Sequence, residues 1–244
     1  PTNAHEHILT EALKLNKPIF IEKPISHNLN FYDKTKIFTK NSLLEVGCNF
    51  RLHPNLIKLK KILSRINQKD ILSYRLAHGY NLDLWRPSHK FKKSYSYDSK
   101  RGGGVLLDLI HQIDISLWLF GEIKSVYGNC SNTKSIGVKG DDLTNIITTH
   151  KTGLVGHIQL DMVSPVNRCE AEIVTKKCIY KWCNNSGKLI SLKNNKHLVI
   201  SDVSKSLERN DLYLSHMRHF LKRLKSKNMK AICRFDEGID ALNV

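Results

Sequence analysis

Long apolar runs are missing from this chain. Within its 244 residues, no apolar stretch approaches the roughly 18 residues that a membrane-spanning helix needs. No segment has the charged start, apolar centre and small-residue cleavage site of a secretory signal. Low-complexity segments and internal repeats are also lacking. We therefore predict a globular protein with no membrane partner.

Closely paired cysteines are missing too. The six cysteines, at positions 48, 130, 169, 178, 183 and 233, include no Cys-x-x-Cys spacing. Cys178 and Cys183 lack the accompanying His-x-x-x-His that would suggest zinc. The spacing predicts no metal site. Free thiols are typical of a reducing cytosol, so we expect a cytoplasmic protein.

Acidic residues are scarce. The chain has 39 lysines and arginines against 22 aspartates and glutamates, a formal net charge of +17. Such an excess raises the possibility of a nucleic-acid partner. The lysines are spread along the whole chain, however, and clusters such as KLKK and HKFKK lack an RNA-binding or recognition-helix signature. We interpret the charge as a solvated surface and predict no nucleic-acid partner.

Residues 1–49 alternate between helical and strand-like apolar patterns. The segments AHEHILTEALKLN and NLNFYDKTKIFTKN have helical spacing, and KPIFIEKP and SLLEVGCNF read as short buried strands. The order helix, strand, helix, strand favours parallel βαβ units. We predict the distal part of an α/β dinucleotide-binding domain here.

Residues 50–244 have a different pattern. A helix, HPNLIKLKKILSRI, and a strand, DILSYRLAHGY, precede a polar loop over 81–101. The segment GGGVLLDLIHQIDISLWLFG predicts a helix that ends at Gly121, and several strand-like segments and a late helix follow. We predict an α+β domain with one large, mostly antiparallel open sheet. The chain as a whole is then α/β plus α+β.

Both ends of the chain look cut. The chain begins with Pro1 rather than methionine, and its last residues, RFDEGIDALNV, run apolar to the end. We expect a fragment of a longer protein.

The segment Glu22-Lys23-Pro24 ends the first strand abruptly. Ligands of open parallel sheets bind at the carboxyl ends of the strands, so these residues would face a groove. Pro24 biases Lys23 towards an extended conformation, and the lysine ammonium offers three hydrogen-bond donors to a ligand. The alternative is a surface turn with an ordinary Glu-Lys pair.

A second candidate site follows three glycines, in the segment RGGGVLLDLIHQID. Asp108, His111 and Asp114 are spaced three apart, which on one continuous helix would give a polar edge. A carboxylate beside an imidazole orients it and raises its basicity, as a general base acting on an alcohol requires. The alternative is a core histidine with surface or capping aspartates. The glycines match no phosphate-binding motif and are better suited to close approach of a ligand or another segment.

Together, the segments PTNAHEHILTEALKLNKPIFIEKPIS, VGCNFRLHP and RGGGVLLDLIHQIDISLWLFG resemble the Gfo/Idh/MocA oxidoreductases, in order and over nearly the whole chain. The resemblance implies NAD or NADP as cofactor. It implies hydride transfer at a hydroxyl-bearing carbon of a sugar, sugar nucleotide or cyclitol. By the same resemblance, His111 would exchange the hydroxyl proton, Lys23 would bind the reacting hydroxyl and the cofactor ribose, and Asp108 would position the substrate and tune His111.

The resemblance also implies binding residues. The cofactor would be bound by Thr2, Asn3, His5, Glu22, Lys23 and Pro24. The substrate would be bound by Asn49, Arg51, Arg86, His89 and Tyr95. The free face of the large sheet would form a homodimer or homotetramer.

Two features depart from the family pattern. Only Leu109 and Ile110 separate Asp108 from His111, where many members have three intervening residues. No Gly-x-Gly-x-x-Gly turn is present, so half of a cofactor site is missing from the sequence. A non-enzymatic sugar- or cofactor-binding protein on the same fold, or an inactive fragment, therefore stays open as an alternative.

Overall fold

The computed structural model describes residues 1–28, 43–82, 92, 94–226 and 229–244. After a short turn at Thr2–Ala4, helix α1 (His5–Lys14) leads into strand β1 (Ile19–Ile21), which pairs in parallel with β2 (Leu44–Val46). The parallel β1–β2 pair supports the predicted α/β pattern. The predicted helix NLNFYDKTKIFTKN falls on residues 28–41, almost all of them outside the described residues.

A small apolar core holds this first unit together. Leu9 and Leu13 lie one turn apart on α1, and both are buried against the two strands. This packing includes Cys233, Phe235 and Ile239 from the far end of the chain. The division into 1–49 and 50–244 stays a prediction, but the C-terminal segment clearly shares the core of the first unit.

The second unit is built on one eight-stranded sheet. Its strands are β3 (Ile71–Asn81), β4 (Ile123–Ser131), β5 (Leu143–His150), β6 (Val155–Asp161), β7 (Val163–Thr175), β8 (Ile179–Cys183), β9 (Lys188–Lys193) and β10 (Lys196–Asp202). The strand order is β10-β9-β8-β7-β3-β6-β5-β4. Among the described strands of this sheet, β3 and β6 form the one parallel pair. The prediction of a large, mostly antiparallel sheet is therefore confirmed.

Five helices accompany the sheet in the described residues: α2 (Pro54–Leu63), α3 (Val105–Asp108), α4 (His111–Phe120), α5 (Arg209–Lys225) and α6 (Phe235–Leu242). Strand β5 shows how one face of the sheet is covered. Thr144, Ile146 and Thr148 alternate along it and are buried. On the opposite face Tyr127 lies opposite Ile147, and they are 79% and 48% exposed.

Helix α5 is anchored on the first unit through a buried carboxylate. Glu45 of β2 is fully buried and accepts hydrogen bonds from His216 Nε2 at 3.0 Å and Arg223 Nη1 at 2.7 Å. The backbone N–H of Ile232 donates to the same carboxylate at 3.1 Å. Paired in this way, the charge can be buried without being left uncompensated. The helix is therefore fixed beside the carboxyl ends of β1 and β2.

The apolar helices of this chain are short. No single helix among the described residues has the length and apolar character to cross a membrane. The bent pair Ser99–Asp108 and His111–Phe120 would pass together by length and composition alone. Val105, Ile113 and Ile115 of that pair are buried inside the protein.

Candidate active site

Lys23 lies where the carboxyl end of β1 meets the second unit. Its Nζ donates a hydrogen bond of 2.7 Å to the backbone carbonyl of Asp108. Burial lowers the pKa of Lys23, although the charges of Asp108 and Glu22 oppose that shift. Lys23, Asp108 and His111 all line one cavity of about 710 Å³. The structure thus brings the two sequence candidates together across 85 residues.

A break in the helix makes this contact possible. The segment predicted as one helix is divided into α3 and α4, with a bend of 46° between the two flanking helical stretches. In a continuous helix the carbonyl of Asp108 would accept from the N–H of Gln112. Here that N–H donates to Leu109 O at 3.2 Å instead. The carbonyl of Asp108 is therefore available to the ammonium of Lys23.

The polar edge predicted from Asp108, His111 and Asp114 on one continuous helix does not form. Asp114 does not join Asp108 and His111, because its side chain is only 2% exposed and is paired with Arg51. Arg51 Nη2 lies 2.7 Å from Asp114 Oδ1, and Arg51 Nη1 lies 2.9 Å from Glu237 Oε1. The guanidinium of Arg51 is buried in these ion pairs and lies outside the cavity lining, which argues against the substrate-binding role expected for it; that role stays a prediction.

The carboxylate of Asp108 is held by two phenols. Tyr80 Oη donates to Oδ2 at 2.8 Å, and Tyr95 Oη donates to Oδ1 at 2.9 Å. Tyr95, expected to contact substrate, does line the cavity. Its hydroxyl nevertheless already has a partner in Asp108. Tyr80 was not singled out by the sequence.

His111 sits deep in the cavity beside Phe50. The two rings meet edge to face with centroids 5.1 Å apart. Burial, followed by the positive charge of Lys23, lowers the pKa of His111 well below its ordinary value. The imidazole is therefore neutral at neutral pH and a weaker base than an ordinary histidine, whereas the sequence predicted a raised basicity beside Asp108.

Two further histidines line the cavity. Burial lowers the pKa of His78 to about 4, and Lys23 adds to that shift. His78 Nδ1 lies 3.4 Å from Gln112 Nε2. His53 is buried at the start of α2, where its Nδ1 accepts from the N–H of Asn55 at 3.2 Å, and burial lowers its pKa to about 4. Both imidazoles are therefore uncharged at neutral pH where they line the cavity.

The sequence could have pointed to part of this wall. His78 and Tyr80 alternate along the predicted strand DILSYRLAHGY, so they share the face that turns towards the cavity. Arg168, which also lines the cavity, pairs with Asp161 at 2.7 Å. No local sequence pattern identifies Arg168, because its position in the cavity depends on how β7 pairs within the sheet.

The residues expected to bind the cofactor are distributed unevenly. Thr2, His5 and Glu22 line the cavity together with Lys23. Asn3 is exposed and lies outside the cavity lining. Pro24 also lies outside that lining, but its carbonyl accepts from His5 Nδ1–H at 2.8 Å. That bond fixes the tautomer of a neutral His5, so its Nε2 is a hydrogen-bond acceptor.

Of the remaining expected substrate contacts, Asn49 lines the cavity. Its side chain is buried, and its Oδ1 has no hydrogen-bond partner among the residues that the structure describes. A buried acceptor without a partner is suited to a donor group of a ligand. Arg86 and His89 lie outside the described residues.

The three glycines serve close packing of backbone segments. A Cβ on Gly103 would overlap the carbonyl oxygen of Tyr95 and lie 2.8 Å from that of Asp98. Gly102 has a φ of +76° and packs against Thr2. The glycines thus allow the Tyr95 turn and the N-terminal segment to meet beside α3.

One buried group has metal-ligand chemistry. The ligand atoms of Cys48, Asp114 and Cys233 lie within 4.8 Å of one another. Arg51 Nε already donates to both oxygens of Asp114 at 3.1 Å, and its positive charge opposes an incoming cation. The hydrogen bond with Cys233, together with burial, raises the pKa of the Cys48 thiol, so the neutral thiol is favoured. We assign no metal to this group.

Comparison with known proteins gives the same assignment as these motifs. The model of the GFO/IDH/MocA C-terminal domain matches residues 60–181. The chain belongs to the GFO/IDH/MocA family. This GFO/IDH/MocA chain is 30% identical over 168 residues to a myo-inositol 2-dehydrogenase of Thermotoga maritima, in a match covering 64% of this chain and 46% of that enzyme.

A scyllo-inositol 2-dehydrogenase (NAD(+)) of Bacillus subtilis is 24% identical to this chain. The match covers 98% of this chain and 70% of that enzyme. A levoglucosan dehydrogenase solved with NADH and levoglucosan superposes with a TM-score of 0.84 at 18% identity. That match covers all of this chain and 74% of the other. The described residues thus have the fold of the family, and the matches span 46% to 74% of the length of these proteins.

Proposed function

We propose that the protein containing this GFO/IDH/MocA chain is an NAD(P)-dependent oxidoreductase. It would transfer hydride between a nicotinamide cofactor and a hydroxyl-bearing carbon of a sugar, sugar nucleotide or cyclitol. One observation carries the proposal: Lys23, Asp108 and His111 converge on one cavity from different parts of the chain. The named activities of the similar dehydrogenases support the reaction class.

The proposed chemistry divides between protein and cofactor. A bound nicotinamide would accept the hydride from the alcohol carbon. The imidazole of His111 would accept the hydroxyl proton, and its lowered pKa keeps it in the unprotonated form that this step needs. The ammonium of Lys23 donates a hydrogen bond to the substrate oxygen and stabilises the charge that develops there.

The nicotinamide end of a cofactor fits the residues present. Thr2, His5, Glu22 and Lys23 form one wall of the cavity next to the catalytic groups. The Nε2 acceptor of His5 suits a ribose hydroxyl or a carboxamide N–H. Binding of the remaining cofactor would need the glycine-rich turn that this sequence lacks.

A substrate panel tests the function. In the natural protein containing this chain, cyclitols and monosaccharides offered with NAD⁺ or NADP⁺ should include a substrate that is oxidised with reduced-nicotinamide formation. Lys23→Met should lower kcat/KM by about 100-fold or more, since it removes a donor to the developing oxyanion. Lys14→Met, at an exposed helix position, is the matched control. Saturable polyol binding without any turnover would favour the non-enzymatic binding protein, and neither binding nor turnover would favour the inactive fragment.

The open face of the sheet supports an assembly proposal. Tyr127, Ile147 and Val155 are exposed large apolar residues on this face. Covering them in a homodimer or homotetramer would remove apolar surface from water. Ile147→Asp should dissociate the assembly in light scattering, and a monomeric wild-type protein at micromolar concentration would contradict it. Localisation in the cytoplasm stays a prediction.

A further inference from the structure

Two elements reach the carboxylate of Asp108, which lies at the end of α3. Tyr80 comes from the end of β3, and Tyr95 comes from the short turn Tyr95–Tyr97. Their hydroxyls donate to different oxygens of Asp108, at 2.8 and 2.9 Å. The Nζ of Lys23 donates to the backbone carbonyl of the same residue, at 2.7 Å.

The chemistry of these groups fixes the direction of each bond. An ionised carboxylate can only accept, so both phenols donate. Each carboxylate oxygen has a second lone pair and can still accept from a substrate hydroxyl. Asp108 is thus held in one orientation by two donors while it keeps acceptor capacity towards the cavity.

The turn that carries Tyr95 is itself held in place. The N–H of Gly103 donates to Asp98 O at 3.0 Å, and the N–H of Gly104 donates to Ser96 O at 3.3 Å. Because these bonds join the turn to the start of α3, the position of the Tyr95 phenol is coupled to the helix that ends in Asp108. A flexible surface tyrosine would have no such coupling.

We propose that Tyr80 and Tyr95 are positioning residues that act through Asp108 and do not act directly on the substrate. The inference rests on the proposed function for its catalytic consequence. The two hydrogen bonds from Tyr80 and Tyr95 to the Asp108 carboxylate, here called the phenol–carboxylate clamp, do not depend on that function. The clamp orients the Asp108 carboxylate that receives the substrate hydroxyl.

A double-mutant cycle in the natural protein tests this proposal. Tyr95→Phe should lower kcat/KM by about tenfold or more, because it removes a hydrogen bond to a charged group. In the Asp108→Ala background the same change should have no further effect, within about twofold. Tyr97→Phe, on the same turn but outside the cavity lining, is the matched control. An undiminished effect of Tyr95→Phe in the Asp108→Ala background would overturn the proposal and indicate direct substrate contact.

The same cycle can be measured in the 244-residue chain without any turnover. Urea unfolding should show that Tyr95→Phe lowers the folding equilibrium constant by about tenfold in the wild-type background and by much less in the Asp108→Ala background. Equal effects in both backgrounds would refute the clamp. If no polyol is oxidised by the natural protein, the proposed function fails, and the unfolding cycle still decides whether the clamp exists.

Discussion

The buried pair of Arg51 and Asp114 gives the sharpest test of how this chain is held together. The two side chains are 3% and 2% exposed, with 2.7 Å between Arg51 Nη2 and Asp114 Oδ1. Arg51→Met keeps a long apolar stem but removes the guanidinium. Within the described part of the chain, the Asp114 side chain would then keep a single weak contact, with Cys233 Sγ at 4.0 Å.

The expected loss follows from that uncompensated charge. Breaking a buried ion pair on one side costs about 3–5 kcal/mol, because the remaining ion stays out of water without its partner. Replacing both members, as in Arg51→Met with Asp114→Leu, should recover much of this free energy of unfolding. The single variant should therefore be much less stable than the double variant.

Urea unfolding of the 244-residue chain, followed by tryptophan fluorescence, is the assay. Arg234→Met provides the matched control, because Arg234 pairs with Asp236 at 2.8 Å while both side chains are more than half exposed. Its cost should be at most about 1 kcal/mol. An Arg51→Met variant within about 1 kcal/mol of wild type would refute the structural role. If Arg51→Met also raised KM, the predicted substrate-binding role of Arg51 would be supported.

Three further predictions concern the cavity. In Lys23→Met, the pKa of His111 measured by NMR should rise, because the positive charge of Lys23 would no longer lower it. Burial, the larger cause, would still keep the pKa below its ordinary value. An unchanged pKa would contradict this prediction. In the intact enzyme, His111 must be neutral to accept the hydroxyl proton, so kcat/KM should rise with pH through a midpoint below 6.5. Gly103→Ala should displace the Tyr95 turn and lower kcat/KM by about tenfold or more, whereas Gly140→Ala, whose Cβ would make an ordinary contact at 3.4 Å, should be close to wild type.

Features that depend on a short segment of the chain could be predicted from the sequence. Lys23 could be recognised because a short apolar strand ends in Glu-Lys-Pro, and His111 because it follows a glycine triplet on an amphipathic segment. The sheet could be predicted from strand-like segments separated by turn residues. Each of these signals lies within a short window of the chain.

The errors come from interactions over long sequence separations. The helix break after Asp108 accompanies the bond from Lys23, which lies 85 positions away. Arg51 has partners 63 and 186 positions away, so its burial has no local signal. Tyr80 was missed because its role depends on the position of Asp108, not on its own strand pattern.

Single-turnover hydride transfer in the natural protein containing this chain tests the central claim most directly. With a substrate identified from the panel, His111→Ala should bind the cofactor normally but transfer hydride at least about 100-fold more slowly than wild type. Transfer at the wild-type rate by His111→Ala would contradict the account, because the proton would then leave the substrate by another route.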